Sequence, residues 1–133
     1  MAGELILIVE DNEKNRKLER DILQFHGYRT VEAETGEDGV TLAQASPPAL
    51  ILMDIQLPGM SGIDALRVLR ADERTRGIPV IAVTASAMTQ DRQKIMSAGF
   101  DGYQANPIDL NQFVAALRAM LARPPPGRPA CTP

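Results

Sequence analysis

Five times along the chain a short run of apolar residues gives way to a longer amphipathic stretch, and this alternation constrains the fold more than any other feature. The runs are residues 5–9 (LILIV), 29–33 (RTVEA, the weakest), 50–53 (LILM), 80–84 (VIAVT) and a short one near Tyr103. Ile, Val and Leu dominate them and interior polar residues are few. That pattern suits strands buried on both faces, as in a parallel sheet covered by helices.

The stretches between carry helical spacing. Residues 15–26 place Leu18, Ile22, Leu23 and Phe25 largely on one side and stop at Gly27. Residues 37–45 follow Thr35 as a candidate cap and turn Val40, Leu42, Ala43 and Ala45 inward. Residues 61–70 open on Ser61 with Asp64 three residues on, a pair resembling a capping box, and bury Ile63, Leu66 and Leu69. Residues 89–98 have Ile95 and Met96 as their apolar side and end at Gly99. Residues 109–123 start with Asp109 as cap, with Gln112 at the third position, and repeat Phe113, Val114, Leu117, Met120 and Leu121 at helical spacing. The expectation is a (βα)5 domain over residues 1–123, a doubly wound parallel five-stranded sheet with helices on both faces. Residues 124–133 (PPPGRPACTP) cannot continue a helix and lack core-forming residues, so they are expected to be a disordered tail.

Bulk properties narrow the function. A chain of 133 residues, 44% hydrophobic and 23% charged, supplies one core. The net charge is −3 and no basic run occurs, which disfavours nucleic acid as a partner. No apolar run is long enough to span a bilayer, and the N-terminus lacks signal-peptide character. The lone Cys131 has no partner for an internal disulfide. A cytoplasmic location follows by default.

Glu10 and Asp11 directly follow the first apolar run, and Asp54 follows the third. Open α/β sheets bind ligands beyond the carboxyl ends of their strands, where strand order reverses. If strands one and three are neighbours, the three acids converge there and need a cation. All-oxygen ligation with an incomplete protein shell suits Mg²⁺. Glu10 or Asp11 alone reads as a solvated loop acid or a helix cap; three acids, each abutting a buried run, favour a shared site. Thr84 ends the fourth run, where a hydroxyl can bond a phosphoryl oxygen or simply finish a strand. Met53 and Ile55 read as core, Pro58 and Gly59 as a turn, and Gly62 as the start of a helix. No Gly-x-Gly-x-x-Gly or Walker-type glycine loop is present, so dinucleotide and P-loop chemistry lack their phosphate cradle.

ILIVEDN, LILMDIQLPGMSG, VIAVTA and YQANP, in that order, resemble the receiver domains of two-component response regulators, over nearly the whole chain from Glu4 to Arg123. The wording around Asp54 looks like single-domain regulators of the DivK type. The resemblance implies a flavodoxin-like (CheY-like) fold, with Asp54 as phosphoacceptor and Mg²⁺ held by Asp11 directly, Glu10 mainly through water, Asp54, and the Gln56 backbone carbonyl. It implies that Thr84 and Tyr103 are the switch pair, that Ala85 leaves room for the phosphoryl group, and that Gln56 and Ser86 tune dephosphorylation. Pro107 matches the proline after the last strand. The family carries Lys immediately before that proline; here it is Asn106, a neutral donor in place of an ammonium, so weakened or rewired switching is expected. The implied partners are a histidine kinase or histidine phosphotransfer protein and a downstream protein target, with the chain a monomer or weak homodimer. His26, the only histidine, reads as a helix-end residue. Two other functions compete. A haloacid-dehalogenase-type phosphatase needs a second Asp two residues after the nucleophile, where Gln56 stands. A phosphorylation-independent pseudo-receiver draws its support from Asn106.

Overall fold

The structure is a computed structural model, and it describes residues 3–55, 57, 59–84, 89–105 and 110–122. Five strands, β1 (Leu5–Val9), β2 (Arg29–Ala33), β3 (Leu50–Asp54), β4 (Val80–Thr84) and β5 (Gly102–Ala105), alternate with five helices. The helices are α1 (Glu13–Phe25), α2 (Gly36–Ala45), α3 (Gly62–Ala71), α4 (Thr89–Ser97) and α5 (Leu110–Ala122). All neighbouring strands pair in parallel, in the order β2-β1-β3-β4-β5. The doubly wound (βα)5 expectation holds.

Strand alternation divides the core into two layers. Ile6, Ile8, Leu50, Leu52, Ile81 and Val83 pack on one face with Leu23 of α1 and with Phe113 and Leu117 of α5. Leu7, Val9, Ile51, Met53, Val80 and Ala82 pack on the other with α2, α3 and Ile95 of α4. The central strands β1, β3 and β4 are buried on both sides because their positions, odd or even, are apolar, whereas the edge strand β2 keeps Arg29, Thr30 and Glu32 partly or fully in solvent.

Local chemistry fixes the helix starts. The Thr35 hydroxyl accepts from the Asp38 N–H at 3.1 Å and the Ser61 hydroxyl from the Asp64 N–H at 3.2 Å, so both expected caps form. α1 starts two residues earlier than its apolar spacing suggests, because Asn12 Oδ1 caps it, accepting from the N–H groups of Lys14 (2.9 Å) and Asn15 (3.1 Å). Gly27, with φ of 89°, and Gly99, with φ of 111°, end α1 and α4 in the left-handed conformation, as expected of both.

Some inward assignments fail. On α1, Leu18 is 47% and Phe25 85% exposed, whereas Glu19 and Leu23 face the core. Helix phase explains the failure: Leu23 is fully buried, and the position one turn before it is 19, not 18. Ala45 and Met96 are also exposed. Asp109 and residues 123–133 lie outside the described residues, so the expected cap and tail do too. No described helix is long and apolar enough to cross a membrane.

Candidate metal and phosphoacceptor site

Strand order places the acids. β1 lies between β2 and β3, so the chain winds outward from β1 in both directions and the order reverses between β1 and β3. Val9 is level with Met53 in that pairing. The next residues, Glu10 and Asp54, therefore leave the sheet side by side. One carboxylate oxygen from each of Glu10, Asp11 and Asp54 lies within 4.8 Å of the others. The three acids expected to converge do so.

Their environments differ. Glu10 is 2% exposed, Asp54 half-buried and Asp11 exposed. Burial pushes the Glu10 carboxyl above the usual carboxylate range. Hydrogen bonding with Asp54 and to the Asn12 N–H opposes that push, while the negative fields of Glu19 and Asp11 reinforce it. Arg16 braces the rim from behind: its guanidinium donates to the Glu10 carbonyl at 2.9 Å and to Glu32 on β2 at 3.2 Å.

Of the remaining expected residues, Thr84 and Tyr103 are described, and both lie on the strands beside β3 and beyond it. Val83 is level with Asp54, and Thr84, 3% exposed, is the next residue along β4. Tyr103 is half-buried on β5 and packs against the core layer of α2, α3 and α4. Gly62 opens α3 directly behind the Asp54–Ile55 segment, where a Cβ would meet the Asp54 carbonyl oxygen and approach Ile55 Cα to 2.9 Å. Met53 is fully buried and Ile55 packs against the core, as expected, and Gly59 takes the positive φ of a turn, 73°. His26 caps the end of α1, with Nδ1 2.9 Å from the Ile22 carbonyl oxygen. Gln56, Pro58, Ala85, Ser86, Asn106 and Pro107 lie outside the described residues.

One residue of this end was not foreseen. Glu19 of α1 is 1% exposed, and its Oε2 has no hydrogen-bond partner. Desolvation, helped by the charge of Asp54, raises its pKa to about 8.

A search against family models matches residues 6–118 to the response regulator receiver domain. The chain belongs to the response regulator receiver family. The polar-differentiation response regulator DivK of Brucella ovis is 44% identical to it over 116 residues, covering 87% of this chain and 94% of DivK. The DivK of Brucella anthropi is 43% identical over the same share. Among solved structures, the receiver domain of a sensor histidine kinase from Pseudomonas aeruginosa PAO1 superposes with a TM-score of 0.85 at 35% identity. It covers 92% of this chain and 100% of that one, and it holds a magnesium ion coordinated in its active-site cleft. The chemotaxis protein CheY4 of Vibrio cholerae shares the fold, with a TM-score of 0.82 at 22% identity over 90% of this chain and 99% of its own. The chain is thus a DivK-like receiver domain with a CheY-like fold.

Proposed function

We propose that this receiver is a phosphorylation-controlled switch in which Asp54 accepts a phosphoryl group from a phosphohistidine on a histidine kinase or phosphotransfer protein. One observation carries the reading: Glu10, Asp11 and Asp54 present carboxylate oxygens within 4.8 Å of one another at the reversal of strand order. The donor set fits Mg²⁺. It is all oxygen, it leaves coordination positions for water and phosphate, and it gathers three carboxylates at one point. Glu10, Asp11 and Asp54 would hold the ion together with the Gln56 carbonyl, and it would offset the repulsion between carboxylate and phosphoryl oxygens.

The chain's own groups do the rest. The Asp54 carboxylate attacks phosphorus without first losing a proton. The P–O bond forms as the P–N bond to the donor imidazole breaks, with the electron pair staying on the imidazole. The Thr84 hydroxyl, at the end of β4, bonds a phosphoryl oxygen beside Ala85, and Tyr103 repacks into the space that movement leaves. Asn106 offers only an amide where an ammonium would pair with phosphate, so the two conformations are coupled more weakly than in a lysine-bearing receiver. Water later cleaves the acyl phosphate at a rate set partly by Gln56 and Ser86. The output passes through contacts with a downstream protein in the cytoplasm, and self-phosphorylation and autodephosphorylation are the only chemistry.

The identity of Asn106 favours one other reading, a pseudo-receiver that binds partners without phosphorylation. Intact mass after incubation with Mg²⁺ and acetyl phosphate, then with a phosphohistidine donor, separates the two. An added phosphate that Asp54→Ala loses supports the switch; no addition from either donor supports the pseudo-receiver.

A further inference from the structure

The reading above leaves Glu19 without a role. It sits on the face of α1 that Leu23 anchors, one turn nearer the acid cluster, and is 1% exposed with an orphaned Oε2. An ionised carboxylate there would be desolvated and uncompensated. Among the described residues, the charged groups acting on it from the strands beneath are acids, Asp54 at the end of β3 and Glu10 just past β1. The cations of its own helix are turned elsewhere: Arg16 and Arg20 both pair with Glu32, and Lys14 and Lys17 are exposed to solvent. The α5 residues of that core layer, Phe113 and Leu117, are apolar. Glu19 is not a member of the group whose oxygens lie within 4.8 Å, so it would not be a ligand, yet it is electrostatically linked to two of the three acids that would be.

We propose that Glu19 is a proton-linked fourth acid of this site: it holds a proton in the cation-free protein and releases it to solvent when a divalent cation binds at Glu10, Asp11 and Asp54. The inference rests on the reading of that cluster as the cation site. A bound dication reverses the sign of the local field. The negative field that favours a neutral Glu19 becomes a positive one that favours the carboxylate, and the new charge stands behind the ion as a buried counter-charge. Cation affinity therefore rises with pH beyond what the ligands themselves require. The feature missed by spacing arguments, an acid at a core position, becomes a means of making cation loading sensitive to pH.

The test is calorimetric titration of Mg²⁺ into the full chain in two buffers of different ionisation enthalpy, which counts the protons released. At about pH 7 the wild type is expected to release close to one proton more per ion than Glu19→Gln or Glu19→Val. Its affinity is correspondingly expected to rise about tenfold more per pH unit than theirs below about pH 8. Equal proton counts in wild type and both variants would overturn the proposal. Mg²⁺ that fails to bind the wild type would overturn it together with the cation site. Phosphate incorporation by mass judges the phosphoacceptor reading separately.

Discussion

Replacing Glu19 with Gln should flatten one component of the protein's pH-dependent stability. The buried carboxyl has a pKa of about 8 in the folded chain, against 4.5 for the unreacted group. Between those values the folded state keeps a proton that the unfolded state has lost. The stabilisation is complete below the unfolded pKa and is lost as pH rises through the folded one. Each unit in that window lowers unfolding free energy by about 1.4 kcal/mol, so by about pH 7 the wild type has lost about 3 kcal/mol. Gln is nearly isosteric and does not titrate, so its variant lacks this slope. Denaturant melts of both proteins with a chelator, from about pH 5 to about pH 9, provide the comparison. The difference in stability, variant minus wild type, should grow with pH and level off above about pH 8. A difference that stays constant across the range refutes the claim that this carboxyl is neutral in the folded chain.

Three other outcomes are expected. Gly62→Ala drives a methyl group into the Asp54–Ile55 backbone, so it should cost about 1–3 kcal/mol and weaken Mg²⁺ binding, read by denaturant melts and calorimetry. Arg70 donates to the carbonyls of Arg76 and Ile78 at 3.0 and 2.7 Å and to Asp101 at 2.7 Å, tying α3 to the segments that lead into β4 and β5. Arg70→Ala should therefore cost about 3 kcal/mol, and Arg70→Lys should recover only part, because an ammonium cannot reproduce the fork. Removing residues 124–133, which we propose add no packing to the domain, should leave the thermal midpoint nearly unchanged.

The fold was legible because its three central strands are buried on both sides. A strand with no polar face shows as an unbroken apolar run, and LILIV, LILM and VIAVT are such runs. Thr35 and Ser61 announced two helix starts, since only a cap explains a hydroxyl directly before an amphipathic stretch. α1 was less legible. Treating every apolar residue as inward mis-phased the helix, burying Phe25 on paper and hiding Glu19, because acids are presumed to face water. Of the site, Glu10, Asp11 and Asp54 could be located by their place after strands, but their convergence required the strand order, which no local pattern states. The roles of Gln56, Ala85, Ser86, Asn106 and Pro107 came from family resemblance alone, and those residues lie outside the described structure.

The central claim is that Asp54 is phosphorylated beside a divalent ion. Peptide mapping by tandem mass spectrometry, after reaction with a phosphohistidine donor in Mg²⁺ and in chelator, tests it most directly. The account predicts a single phosphate on Asp54 that chelation abolishes. A phosphate carried by another residue, or one formed equally well without the metal, contradicts it.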